Sequence, residues 1–417
     1  MKIRSTAVLA LMMVVVALLL SSFSMVSAQS DTIKIGLGFD LSGAESSLDL
    51  PASNGAMLAI KEINANGGIL GKQVEGVSHD TRYDMALTAQ VAHQFVEQDQ
   101  VSAVVGFTDS DSVLAAGPII QAAHIPFITA GATSPLLPDQ VGDMFFMACF
   151  GDNVQASAMA EYAYKNFGHT AYLLWDQGVE YTTLLAGYFK TRFTQLGGTI
   201  VLEDTYADDA TDFSTQITKL RALSTQPDFY FVSAMPYNVG PAVLQMRQAG
   251  IDGPITGGDG YDTPDIVSVA GDSANNVYFT THALMDPDNG TDAIKGFFKS
   301  YTAEYGHAPE NAFAALGYDA MNLLADAITR AGSTDADAIQ QALLQTSNFP
   351  GVTGSITFAN GSHIPQKAVT IIKIADQKFT LAQQLVPEVV APANPEATAE
   401  ATEAMTPMMT AEATAGS

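Results

Sequence analysis

Val101-Ser102-Ala103-Val104-Val105-Gly106-Phe107-Thr108-Asp109-Ser110-Asp111-Ser112, followed by Ile125-Pro126-Phe127-Ile128-Thr129-Ala130-Gly131-Ala132-Thr133-Ser134-Pro135, carries the architecture of the chain in miniature. Val101 to Gly106 and Ile125 to Thr129 are short apolar runs, the pattern of strands buried on both faces. The segment between them, Asp111 to Ala123, reads as a helix, and a strand–helix–strand unit joins parallel neighbours in one sheet. Each strand ends in a hydroxyl-rich junction. In open parallel sheets ligands bind beyond the carboxyl ends of the strands. A helix start there adds unpaired backbone N–H groups, which suit a carboxylate or phosphate. Ser110 and Thr133 are therefore either ligand-binding hydroxyls or ordinary helix caps.

The same rhythm extends in both directions. Before the quoted stretch, Ile33 to Phe39 and Lys72 to His79 read as strands, with helices over Pro51 to Asn66 and around Leu87, Val91 and Phe95. After a break near Gly151, strands are expected at Thr170–Trp175, Thr199–Thr205, Phe229–Ser233, Pro254–Gly257 and Asn276–Thr281, with helices between them. Two more helices, Asp292–Tyr305 and Asn311–Ala331, precede a β-rich end at Thr353–Phe358, Lys367–Ile374 and Phe379–Val386. Two alternating runs predict two α/β lobes, each a doubly wound parallel sheet covered on both faces. The second run has junctions of its own: Trp175 to Tyr181, Ala234-Met235-Pro236-Tyr237, and Gly257-Gly258-Asp259-Gly260-Tyr261. Asp259 is either a partner for a ligand ammonium group or a turn aspartate favoured by its glycine neighbours.

Composition narrows the function by exclusion. The chain has 417 residues, 47% of them hydrophobic, enough for a sizeable core. It carries 18 basic and 44 acidic side chains, a formal charge of −26, so nucleic acid is not an expected partner. The single cysteine, Cys149, excludes an intrachain disulfide framework and lies in an apolar stretch that predicts buried packing. No Gly-x-Ser-x-Gly elbow, His-Glu-x-x-His pair or phosphate loop is present, and the seven histidines are scattered. An enzyme is not expected, nor any cofactor or metal.

The two ends read differently from the middle. Lys2 and Arg4, the apolar run Ala7 to Leu20, and Val26-Ser27-Ala28 have the order of a secretory signal, residues 1–28, with a retained membrane anchor as the rival reading. A lipid anchor would need a cysteine at the cleavage point, so an exported, soluble, unanchored protein is expected, in the periplasm or at the extracellular face. From Pro387 to Ser417 the composition collapses to Ala, Thr, Glu, Pro and Met, which predicts a disordered tail.

The chain resembles the extracytoplasmic solute-binding proteins of ABC importers for branched-chain amino acids, with the type I periplasmic-binding-protein fold. The resemblance runs from about Ile33 to Val386. Its carriers are Ile35 to Gly43 (IGLGFDLSG), Ala59 to Gly71 (AIKEINANGGILG), Val104 to Ser110, Ile125 to Pro135, and Gly257-Gly258-Asp259-Gly260. The resemblance implies three crossovers, near Cys149–Asp152, Thr281–Ala283 and Gly354. Lobe one would then hold residues 29–150 and 283–354, and lobe two 151–282 and 355–386. It further implies that Ser110 and Thr133 hold a ligand α-carboxylate, that the Gly131 carbonyl accepts from the α-ammonium, that Asp259 pairs with it, and that Tyr181 closes over the ligand. Leu48, Phe107, Trp175 and Met235 are the expected pocket wall. Leu48 and Met235 stand where leucine/isoleucine/valine binders carry tyrosines, and Met147 replaces a familiar arginine. The expectation is a monomer that closes by hinge motion on an α-amino acid, aliphatic or branched-chain, and delivers it to a membrane permease. A sensor of the same fold for an amide, urea or small carboxylate is the alternative.

Overall fold

The structure, a computed structural model, describes residues 32–207 and 210–394. The expected leader, and the tail beyond Asn394, lie outside the described residues. Lobe one is built on five strands: β1 (Ile33–Phe39), β2 (Val74–Asp80), β3 (Ala103–Gly106), β4 (Phe127–Thr129) and β5 (Phe145–Met147). They form one parallel sheet in the order β2-β1-β3-β4-β5. Helices α1 (Ser46–Ala65), α2 (Met85–Gln94), α3 (Ser110–Ala122) and α4 (Leu137–Val141) connect them.

Lobe two begins with β6 (Thr170–Asp176), β7 (Thr199–Tyr206), β8 (Phe229–Ser233), β9 (Ile255–Gly257) and β10 (Val277–Thr281). Its helices are α5 (Asp152–Asn166), α6 (Glu180–Gln195), α7 (Ser214–Arg221), α8 (Pro236–Gln248) and α9 (Asp265–Ala270). The chain then returns to lobe one for α10 (Asp292–Tyr305), α11 (Ala312–Ala331), α12 (Ala336–Leu344) and the hairpin β11 (Phe349–Gly351)–β12 (Gly354–Ile356). It ends in lobe two with β13 (Val369–Ala375) and β14 (Lys378–Leu385), giving a sheet ordered β14-β13-β10-β9-β8-β6-β7. Among the described residues no helix is long and apolar enough to cross a membrane.

The two lobes carry the expected parallel sheets, and the lobe-two sheet adds an antiparallel edge. Strand β13 runs antiparallel to both β10 and β14. For β14 the cause is local: Asp376 and Gln377, which link it to β13, both have positive φ, and so tight a turn joins only antiparallel strands. Helix α5 was not foreseen either. Its buried face is Ala156, Ala158, Met159, Ala160 and Ala163, small residues that leave little apolar periodicity to read.

Helix α11 is the element that ties the late chain to lobe one. Leu316, Met321, Leu323, Leu324 and Ile328 are all buried, each worth roughly 1.5–3 kcal/mol of transfer free energy. It lies against α1 at backbone contact. A Cβ on Gly55 would overlap the Ala314 carbonyl oxygen, and one on Gly317 would overlap that of Ala52. These two glycines set how closely the helices approach, and thereby place the starts of both at the cleft.

Three crossovers join the lobes. The first two run through Ala148–Gly151, between β5 and α5, and through His282, after β10. The third lies beyond Gly354, which corrects the expected boundary. Ile356 and Phe358 belong to the lobe-one core, and the Phe358 ring sits 5.3 Å from that of Phe146. His363 still follows β5, its carbonyl accepting from Met147 N at 3.0 Å. The passage to lobe two therefore occurs between Ile364 and Val369. Buried Lys367 sits on it and donates to the Ala148 carbonyl at 3.1 Å and to Thr353 Oγ1.

The tail also starts later than its composition suggests. Residues 387–394 run along lobe two: Glu388 N and Val389 N donate to the Glu161 carboxylate at 2.9 and 3.2 Å. Buried Ala391 donates to Ser157 Oγ at 2.9 Å and accepts from Asn153 Nδ2 at 2.9 Å. Tyr188 donates to the Ala393 carbonyl at 2.5 Å. Backbone hydrogen bonds to fixed side chains hold a segment whose own side chains predict nothing.

Candidate functional site

A small pocket lies in the cleft between the lobes. Ser110, Gly131, Thr133, Tyr181 and Asp259 all line it, as do Leu48 and Met235. Phe107 and Trp175, expected in the wall, do not. The Phe107 ring turns under Gly38 and packs edge-on to Phe127 at 5.6 Å, inside the lobe-one core. Trp175 is half-buried against the aromatic core of lobe two. Glu45, Thr108, Asp109, Pro236, Gly260 and Phe313 complete the lining, and sequence reading had not singled them out.

The lobe-one wall comes from two adjacent strand ends. Beyond β3 the chain turns at once, because Phe107 adopts a left-handed conformation, φ +51°, and its N–H donates to the Gly38 carbonyl at 2.7 Å. Strain of this kind costs about 1–3 kcal/mol, here set against complete burial of the ring. The turn delivers Thr108, Asp109 and Ser110 to the cleft. Asp109 caps α3 by accepting from Ser112 N at 3.0 Å, so Ser110 is the first helical residue rather than the cap. Its Oγ accepts from Ser134 N at 3.3 Å. Beyond β4, Thr129 Oγ1 donates to the Phe107 carbonyl at 2.6 Å and accepts from the N–H groups of Gly131 and Ala132 at 3.3 and 3.0 Å. One buried hydroxyl thus fixes the two junctions to each other. A side chain at Gly131 would clash with the ring of Phe313, in the first turn of α11.

The lobe-two wall is a hydrogen-bonded network around Asp259. Its Oδ1 accepts from Gln155 Nε2 at 2.8 Å and from Tyr181 OH at 3.0 Å; its Oδ2 lies 3.1 Å from His282 Nε2. Gln155 Oε1 in turn accepts from Asp259 N at 3.1 Å and Thr280 Oγ1 at 2.6 Å, and Tyr181 OH accepts from Gly260 N at 3.0 Å. Burial holds the His282 imidazole below its ordinary pKa, and its ring stacks on Phe150 at 3.8 Å. Burial and then the Asp259 charge push both the Tyr181 phenol and the Asp152 carboxyl well up. A carboxylate has about four acceptor positions; three donors leave room for one more.

The electrostatics of the two walls differ. Burial, then the charges of Asp109, Asp49, Asp40 and Asp111, raises the Glu45 carboxyl well above the usual range. Burial followed by Asp111 raises Asp109 to about 7. No Lys, Arg or His is among the lining residues. The lobes touch around the cavity: Ser134 Oγ donates to Glu180 Oε1 at 3.1 Å, Glu180 N to Asp111 Oδ2 at 3.2 Å, and Ala312 N to Asp262 Oδ2 at 3.1 Å. A cavity with hydroxyls and helix-start N–H groups on one side and a carboxylate on the other suits a small zwitterion.

The periplasmic binding protein family model matches residues 32–378. A leucine-, isoleucine-, valine-, threonine- and alanine-binding protein of Pseudomonas aeruginosa is 27% identical over 82% of this chain and 90% of its own. Among solved structures, the branched-chain amino acid transporter substrate-binding protein LivJ of Streptococcus pneumoniae, in complex with isoleucine, is 32% identical with a TM-score of 0.78. That alignment covers 85% of this chain and 99% of that one. The leucine-binding protein LivK of Thermotoga maritima is 29% identical with a TM-score of 0.80, covering 86% and 99%.

Proposed function

The chain belongs to the periplasmic binding protein family, and on that premise we propose that it is an exported solute-binding protein of an ABC importer that captures an α-amino acid with an aliphatic side chain. The observation that carries this reading is that Ser110 and Thr133 of one lobe and Asp259 and Tyr181 of the other line one pocket. Ser110 Oγ, Thr133 and the N–H groups of their junctions hold the α-carboxylate. The α-ammonium lies between the Gly131 carbonyl and Asp259, whose position Gln155, Tyr181 and His282 fix in advance. Leu48 and Met235 cover the aliphatic part of the side chain. Closure brings the lobe-two wall onto a ligand seated on lobe one, and a membrane permease then receives it.

Calorimetric titration with α-amino acids tests the reading. Asp259→Ala lowers affinity by about a hundredfold or more, the cost of removing the charged partner of a desolvated ammonium. Leu48→Ala lowers it by about tenfold or less. Equal losses in the two variants overturn the ammonium assignment.

A further inference from the structure

Glu45 is in a position that the amino-acid clamp does not explain. It precedes α1 as its N-cap residue, yet its side chain makes no capping hydrogen bond. It is 4% exposed, and it lines the cavity. Among the described residues its carboxyl group accepts no hydrogen bond and meets no cation, while its charged neighbours Asp40, Asp49, Asp109 and Asp111 are all acidic. Those neighbours each have a donor. Asp40 accepts from Ser42 N, Gly43 N and Glu45 N, Asp49 from Asp40 N, Asp109 from Ser112 N, and Asp111 from Glu180 N. Glu45 alone faces the cavity unsatisfied. Burial and its acidic neighbours make such a carboxyl hold its proton, and a cation seated beside it would let it give up that proton and pair as a carboxylate.

Charge balance across the cavity points the same way. If Asp259 takes the α-ammonium and neutral hydroxyls and N–H groups take the α-carboxylate, the zwitterion leaves Glu45 and Asp109, which line the same cavity, without a cationic partner. We infer that Glu45, with Asp109, receives a cationic group at the far end of the ligand side chain. The captured solute is then an α-amino acid whose aliphatic stem lies on Leu48 and Met235 and ends in an ammonium or guanidinium. This rests on the α-amino-acid reading above and names the class of side chain that the site selects. A charge-assisted hydrogen bond to Glu45 supplies the selectivity.

Calorimetric titration of the wild-type protein with leucine, ornithine and lysine at neutral pH decides it. Ornithine or lysine is expected to bind at least about tenfold more tightly than leucine. Glu45→Gln is expected to reduce that ratio by about tenfold or more, and Asp109→Asn, which retains a capping side chain for α3, to reduce it by less. Leucine binding as tightly as both cationic ligands in the wild type overturns this inference and leaves the amino-acid reading standing. An unchanged ratio in Glu45→Gln overturns it as well. No heat from any of the three overturns the inference and the amino-acid reading together.

Discussion

The two walls of the cleft hold their carboxylates in opposite ways. On lobe two, Asp259 is surrounded by the donors of Gln155, Tyr181 and His282, so its charge is stabilised before any ligand arrives. On lobe one, Glu45 has no donor and only acidic neighbours. A wall satisfied from within recognises ligand geometry, because its side chains are already fixed. A wall left unsatisfied recognises ligand charge, because a cation lets its buried acid ionise.

Four further measurements bear on that contrast. The largest effect is expected for Gln155→Leu, which strips Asp259 of one donor and Thr280 and Asp259 N of their acceptor. Affinity should fall by about a hundredfold, with a lower Tm, read by calorimetry and thermal melting. Ser110→Ala on lobe one should cost about tenfold, since neighbouring N–H groups still contact the carboxylate. A larger loss than for Gln155→Leu would break the contrast.

The third measurement is a pH profile of the ligand-free Tm. Asp109 is held at about 7 when folded, against an ordinary value of 3.8, so the folded chain binds that proton more tightly than the unfolded chain. Stability is therefore full at acid pH and is lost as pH rises between those two values. Asp109→Asn should match the wild type near the lower value and exceed its Tm by a few degrees above the higher one. The smallest effect is expected on removing residues after Val386. Tm should fall by a few degrees as the bonds to Glu161 and Ser157 go, with ligand affinity unchanged.

Much of this was legible because strand ends are legible. The apolar runs at 101–106 and 125–129 locate their junctions to within a residue or two, and the parallel-sheet rule then nominates Ser110, Thr133 and Asp259. Side-chain direction was not legible. Phe107 adjoins Thr108 in sequence, yet its positive φ sends the ring into the core, and Trp175 packs half-buried against the aromatic core of lobe two. Glu45 follows the Ile35–Gly43 stretch that marks the family, but nothing in the local pattern says that a helix-start glutamate will forgo capping and face a cavity. Long-range placement was equally hidden. The third crossover lies past Phe358 because Phe146 and His363 stack there at 4.3 Å, a pairing of residues far apart in the chain.

The backbone contact of α1 with α11, through Gly55 and Gly317, bears on how this chain comes into being. Lobe one opens the sequence, but the helix that seals its core is made only after the chain has passed through lobe two. Lobe two in turn awaits β13 and β14, nearly the last residues described. Neither core can close before the chain has passed through the other lobe. High contact order of this kind slows folding and keeps a nascent chain open until synthesis is nearly complete.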